Sequence, residues 1–369
     1  MKSRLIHLTL FCVAVFFFFS CKKEKQNTNS FHKISAGNYF TMVVKNDNTL
    51  WACGNNARTQ LGDGTTIDRN ALYKITDGVK AVSGGAYFTL IIKTDNSLWA
   101  CGENDYGQLG DGTTADRNSF VKIADGVKAV SAGVNHTLVI KTDNSLWSCG
   151  RNTEGQLGDG SNLNTWSLRK VAEGVAAASA GNNHSLILKT DQTLWACGEN
   201  IYGQLGDGTN SNSNVFVKIA EGVTAICASY GHTAVIKTDQ SLWTCGRNVE
   251  GQLGDGTNTD ANTLVKVSEG AMAVSAGYYS TMVLKSDQSL WACGRNQYGQ
   301  LGNGTNTPSN SFLKITDGIQ AISAGAGHHM VVKTDNSIWG SGYNRYGQLG
   351  DGTEGVSADR FSLVSAFLP

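Results

Sequence analysis

Trp51, Trp99, Trp147, Trp195, Trp243, Trp291 and Trp339 follow one another at intervals of 48 residues. Each opens a version of the same stretch, and the Gln-Leu-Gly that closes it keeps that spacing from Gln60 to Gln348. Nothing is inserted between these anchors. A unit of this size cannot bury a core alone, so seven copies in register must stack on one another. The period therefore overrides the two or three independent domains that 369 residues would otherwise imply.

The third copy shows what one unit folds into. Residues 129–133 are a short β-type run ending at Gly133, and residues 136–141 are a β-branched run. Thr142-Asp143-Asn144-Ser145 is a turn signal. Residues 146–149 read as a third strand, a Gly-rich loop follows, and residues 168–171 read as a fourth. The middle two strands are apolar on both faces, which describes a sheet sandwiched between neighbouring sheets, a propeller blade. Residues 33–37 supply a first strand and residues 361–364 a fourth, so no strand set is left incomplete. A linear solenoid would need polar capping repeats, and none is visible. The expected fold is all-β, a closed seven-bladed propeller over residues 33–369 with four short antiparallel strands per blade. The 44 glycines and two prolines suit many tight turns between short strands.

The first 32 residues stand apart. Lys2 and Arg4 precede an apolar run, 5–19, that is short for a spanning helix. Ser20-Cys21 follows, and then a polar stretch beginning Lys22-Lys23-Glu24-Lys25. This resembles a bacterial lipoprotein signal, which implies cleavage after residue 20 and lipidation of Cys21. Residues 21–32 then read as acylated Cys and solvated tether. The body is expected outside the cytoplasm, in the cell envelope or at the cell surface.

The pattern Gly-x-Asn-x-x-Gly-Gln-Leu-Gly-Asp-Gly, with a preceding Trp and an Ala-Gly-x-x-His motif as in Ala132-Gly133-Val134-Asn135-His136, is similar to the regulator of chromosome condensation repeat family. The resemblance covers residues 33–369 and implies a seven-bladed propeller. The chain departs from it in shorter units and in lacking the usual Pro before the fourth strand. Thr59 also replaces the Gly before Gln-Leu-Gly in copy one, and Ser341 replaces Cys in copy seven.

Residues present in every blade face equivalent environments, whereas a catalytic site needs different groups converging once. Cys53, Cys101, Cys149, Cys197, Cys245 and Cys293 share one register without zinc-site pairing and read as buried free thiols. His136, His184, His232 and His328 share another register, filled by Phe40, Phe88 and Ser280 in the other blades, and read as space-filling planar groups. Asp255 to Asp260 lacks the terminal Glu of a calcium loop. No catalytic residue, metal or cofactor is expected.

Function should lie where the copies differ. The loops joining strands one and two, and those leaving strand three, emerge at the same end of an antiparallel blade. The first set carries Tyr39, Tyr87, Tyr230, Tyr278 and Tyr279. The second carries Tyr106, Tyr202, Tyr298 and Tyr346, interleaved with Arg151, Arg247, Arg295 and Arg345. Trp166 is the one Trp outside the repeat register, in the long loop entering strand four, where other copies have Asn. These residue types dominate interface energetics; they also pack loop on loop, and both uses stay open. The expected partner is a protein, or alternatively a glycan, bound by a monomer tethered to the membrane through Cys21. Lys plus Arg equals Asp plus Glu at 30 each, which gives no footprint for nucleic acid. Two further readings come from the resemblance: inhibition of a secreted enzyme such as a beta-lactamase, and guanine nucleotide exchange on a small GTPase, which the export signal disfavours.

Overall fold

The computed structural model describes residues 32–364; Cys21, with the rest of the signal and tether before residue 32, lies outside the described residues. Seven sheets of four antiparallel strands succeed one another along the chain, spanning residues 33–76, 79–124, 127–172, 175–220, 223–268, 271–316 and 319–363. Within each sheet the strands pair in chain order, so every blade is complete in itself. Blades are numbered 1 to 7 in chain order. The first strands of neighbouring blades approach one another around the axis, and the last blade packs on the first. The fold is the seven-bladed propeller expected.

Burial follows position in the blade. The second strands, such as His136–Lys141, are buried on both faces except at the terminal Lys. The fourth strands alternate between half-buried and exposed, as in Thr165–Ala172. That strand begins earlier than the apolar pattern indicates, and Trp166 is its second residue rather than part of a loop. On the lower face, opposite the Gly-rich loops, Asp143 accepts the amide and hydroxyl of Ser145 at 2.8 and 2.6 Å, and the indole of Trp147 donates to that hydroxyl at 2.9 Å. Lys141 lies 4.4 Å over the same ring. The repeated Trp is half-buried, the lid of a turn rather than deep core.

What joins the blades is one main-chain carbonyl per unit, that of Gln in Gln-Leu-Gly. In blade 3, Gln156 O accepts the hydroxyl of Ser185 at 2.7 Å and the thiol of Cys197 at 3.6 Å, both from blade 4. The pattern runs around the ring, and at the closing seam Gln348 O accepts Thr41 at 2.8 Å and Cys53 at 3.5 Å. The repeated thiols are thus buried and free, as read from sequence. They also have a polar duty: each donates to the preceding blade. Burial pushes their pKa up, away from thiolate chemistry. A second ring runs nearer the axis, where a Ser hydroxyl in each first strand accepts an amide from the next blade, as Ser131 does from Ala180 at 3.0 Å. Cys227 occupies this position in blade 5 and accepts the Ala276 amide at 3.3 Å.

The His register bridges the same seams. His136, His184, His232 and His328 reach Ser185, Thr233, Thr281 and Thr41 of the following blade at 2.9, 3.1, 2.9 and 3.0 Å. Each of those hydroxyls already donates its proton to a Gln carbonyl, so the imidazole Nε2–H must be the donor. At the seam between blades 6 and 7 the pair is inverted: Ser280 holds the His position, His329 the hydroxyl position, and they bond at 2.8 Å. Gln300 O there loses its usual hydroxyl partner, and Ser341, at the Cys position, donates to it at 3.0 Å. Three departures from the repeat are one compensated exchange.

Two outcomes follow from this seam chemistry. Ser280→His alone crowds two imidazoles together and His329→Thr alone leaves a void, whereas the double substitution recreates the pairing of the other seams. Urea unfolding should show a favourable coupling of about 1–2 kcal/mol between the two changes. Desolvation holds His136, His232, His328 and His329 at about 3 and His184 at about 4, against 6.5 in the unfolded chain. The folded rings stay neutral while the unfolded ones charge, so stability is intact above pH 6.5 and falls as pH drops toward 4, by about 1.4 kcal/mol per pH unit per ring. Unfolding at pH 5 should take up roughly five protons at these rings, and His136→Phe, the residue type of blades 1 and 2, should remove one of them.

Candidate interaction face

The loops after the first and third strands meet on one face, built the same way in each blade. In blade 3 the buried Asn152 donates to Asp159 and to the Ser161 and Leu163 carbonyls at 3.0–3.2 Å and accepts the Leu157 amide at 2.9 Å. Gln156 Oε1 accepts the Glu154 amide at 3.0 Å. The Gly before Gln sits at positive φ because the next blade leaves no room: at Gly107 (φ 77°) a Cβ would stand 2.5 Å from Trp166 Cα. Thr59 takes this conformation in blade 1 at φ 60°, with its hydroxyl donating to Arg117 O at 3.0 Å. Asn and Gln thus hold the loop skeleton, and the positions between them are free to vary.

Ten of the eleven tyrosines project from this skeleton; Tyr73, on a fourth strand, is the exception. Most join a continuous arc across five blades. The Arg247 guanidinium lies between Tyr202 and Tyr279 at 4.9 and 5.2 Å, and Arg295 between Tyr279 and Tyr298 at 5.3 and 5.9 Å. Tyr298 continues to Tyr343 at 4.7 Å, Tyr343 to Tyr39 at 5.8 Å, and Tyr39 to Tyr346 at 5.7 Å. Arg345, exposed, caps Tyr346 at 5.8 Å. Tyr230 and Tyr278 pack on the inner side, 4.9 Å apart. Tyr278 accepts a hydrogen bond from Asn38 of blade 1 although blade 7 lies between, because the intervening loop is only Gly325-Ala326-Gly327. Burial and neighbouring phenols raise the pKa of Tyr39 and Tyr278.

The other sector differs. Blades 3 and 4 carry Val134-Asn135 and Asn182-Asn183 where the arc has Tyr. Tyr87 stands at the border, near Glu103 and also near Tyr39 and Tyr346 of the arc; Glu103 is 3.7 Å from Arg58, and burial raises the pKa of that carboxyl and of Glu199. Tyr106 pairs with Arg151 at 5.8 Å, outside the arc. Trp166 is separate too: it packs on Gly107 at the outer rim and remains 53% exposed. Tyr343 and Asn38 escaped the sequence reading. Tyr343 shares the register of Arg247 and Arg295, and that register alone could have drawn attention to it. Among the described residues no group of three or more His, Cys, Asp or Glu is arranged to hold a metal ion.

An all-β ring of seven four-stranded blades, uniform in its seams and variable on one loop face, defines the class: a β-propeller of tandem repeats. The chain belongs to the RCC1-like domain family, whose model matches residues 120–365; the regulator of chromosome condensation repeat matches residues 31–60, 79–108 and 95–140. No curated protein sequence matches the chain. Similar solved structures share the fold at low identity. Prp20p of Saccharomyces cerevisiae, studied for its binding to Gsp1p and histones, is 17% identical over 79% of this chain and 80% of that one, with a TM-score of 0.72. The yeast protein bound to Kap60 is 15% identical over 96% and 92% at 0.78, and human WBSCR16 is 21% identical over 82% and 87% at 0.74.

The two kinds of Trp should behave differently. Trp147→Ala removes a half-buried indole with its hydrogen bond and should cost about 2 kcal/mol, below the ~3–5 of a fully buried aromatic. Trp166→Ala should cost under about 1 kcal/mol. Equilibrium urea unfolding of both variants gives the comparison.

Proposed function

We propose that this propeller is a non-catalytic binding module of the bacterial cell envelope, tethered through a lipidated Cys21, that engages a protein partner through the tyrosine–arginine arc. The observation that carries this reading is the arc itself. Packing alone would distribute aromatics evenly over seven equivalent loops, whereas here they are concentrated in one sector and alternate with guanidinium groups. Such a surface supplies large, preorganised rings with phenol and guanidinium donors at their edges, the composition of interface hot spots. The mutual stacking of the rings serves binding as well, since it holds them in place before contact. The signal-like N-terminus supports an extracytoplasmic setting. Protein binding by Prp20p is a property of that protein, and it supports the class of function assigned here without naming a partner.

A variant with Tyr298→Ala, Arg345→Ala and Tyr346→Ala removes the outer part of the arc and leaves the seams intact. Capture from envelope extract should retain a partner on the parent chain, and the isolated partner should bind the folded variant at least about thirtyfold more weakly, the loss of one hot spot. Equal affinity would sink the arc as the binding surface. Trp166→Ala, away from the arc, should leave that affinity within about threefold.

A further inference from the structure

The described chain begins at the lower mouth of the central channel. The first strand, Lys33–Ala36, runs from the lower face up to the loop that carries Tyr39. Residue 32 therefore lies on the face opposite the tyrosine arc. Between Cys21 and that point the sequence provides only residues 22–32, which even fully extended reach about 35–40 Å.

The lysines of the described residues fall into three groups. Seven stand over the repeated Trp rings, Lys45 through Lys333. Six more, Lys74 through Lys314, pair with a carboxylate three residues on. Both groups serve the repeat. The third group is Lys33, Lys80 and Lys128, at the lower ends of the first strands of blades 1, 2 and 3. Lys80 and Lys128 donate to Asn96 and Asn144 Oδ1 at 2.7 and 2.6 Å, neutral oxygens that leave the charge in place. Lys33 donates to the Lys80 carbonyl at 2.7 Å, and burial together with the Lys80 charge lowers its pKa. At the Lys80 register, blades 4 to 7 carry Ala176, Thr224, Met272 and Gln320, so the basic sector covers one side of the mouth. Asp47, which acts on His32, and Asp95 and Asp143 at the same turn position of the next two blades are carboxylates on this side.

We propose that the sector of Lys80 and Lys128 is a contact surface for anionic lipid headgroups, seating the propeller with its lower mouth on the bilayer and its tyrosine arc turned away. The proposal rests on the lipid-anchor reading for its setting. One short chain anchor confines the lower face near the membrane, and each lysine near an anionic surface adds about 1 kcal/mol, roughly fivefold in partitioning. The attraction is screened by salt. It fixes the polarity of the module: the variable face is offered to partners in the surrounding compartment, and the face of repeated Asp, Trp and Lys, with its basic sector, is turned to the lipid.

The test separates the surface from the anchor. The chain from residue 21 with Cys21→Ser, which retains the whole closed ring, is mixed with phosphatidylcholine vesicles with and without phosphatidylglycerol. Sedimentation with the anionic vesicles alone, reversed by high salt and reduced more than about twentyfold by Lys80→Glu with Lys128→Glu, supports the proposal. No preference for anionic vesicles, or no effect of the charge reversals, overturns it. Mass spectrometry of the envelope-derived protein decides acylation independently, so an unlipidated Cys21 refutes the anchor without touching the vesicle result. On vesicles holding brominated lipid, the lower-face indoles of the acylated chain should be quenched; a Trp166-only protein, made with the seven repeated Trp replaced by Phe and shown to be folded, should not be. Quenching of Trp166 as strong as that of the repeated Trp overturns the orientation.

Discussion

The propeller depends on a carbonyl that its own blade cannot use. In each Gln-Leu-Gly turn the Gln oxygen points across the seam; in six of them the next blade supplies a hydroxyl and a thiol to meet it, and at Gln300 it supplies the hydroxyl of Ser341. A buried carbonyl without a partner would be costly, so a blade lacking its successor is incomplete in polar terms as well as apolar ones. A ring is the arrangement that leaves no such carbonyl over. The closing seam carries no exchanged strand; Thr41, Cys53 and His328 meet Gln348 and one another there as their counterparts do elsewhere. Closure is therefore the seventh repetition of one contact.

This explains why some departures from the repeat are harmless and where they must fall. Ser280, His329 and Ser341 lie in different strands and two different blades, yet all touch one seam. Changing the hydroxyl to imidazole frees a carbonyl, and a hydroxyl in place of the thiol satisfies it. Phe40 and Phe88 replace imidazole without such compensation because Thr89 and Thr137 still have the carbonyls of Gln60 and Gln108 to donate to. The His supplies a second bond to a hydroxyl that is already satisfied, so its loss orphans nothing that lacks another partner.

The period, blade count, closure and strand order were legible in the sequence because each depends on backbone geometry repeated seven times. What escaped was sideways contact. The register of the Cys is visible in one dimension, but its S–H···O bond joins residues 41 apart in neighbouring sheets. The start of the fourth strand was hidden because Thr165 and Trp166 pair with no apolar pattern; the loop of blade 2 against Gly107 holds Trp166 there. The candidate residues were legible as a list, and their loops as meeting on one face. Their division into an arc, a separate Tyr106–Arg151 pair and an isolated Trp166 needed the angular order of the blades, and Tyr343 was overlooked because it replaces an Arg.

The same economy shapes the two faces. On the lower face the Asp-x-Ser/Thr turn, the indole and the lysine recur in every blade, and the basic sector lies at the inner ends of the first strands, where the blades differ. On the upper face the skeleton of Asn, Gln and Asp uses side chains to bind the loop's own backbone. It asks nothing of the residues between them beyond fitting the neighbouring blade. Seven sets of such positions, arranged on a rigid ring, can differ from blade to blade with little effect on the seams. The tyrosine–arginine arc occupies positions that stability leaves open, which is why its asymmetry carries information that the repeat itself does not.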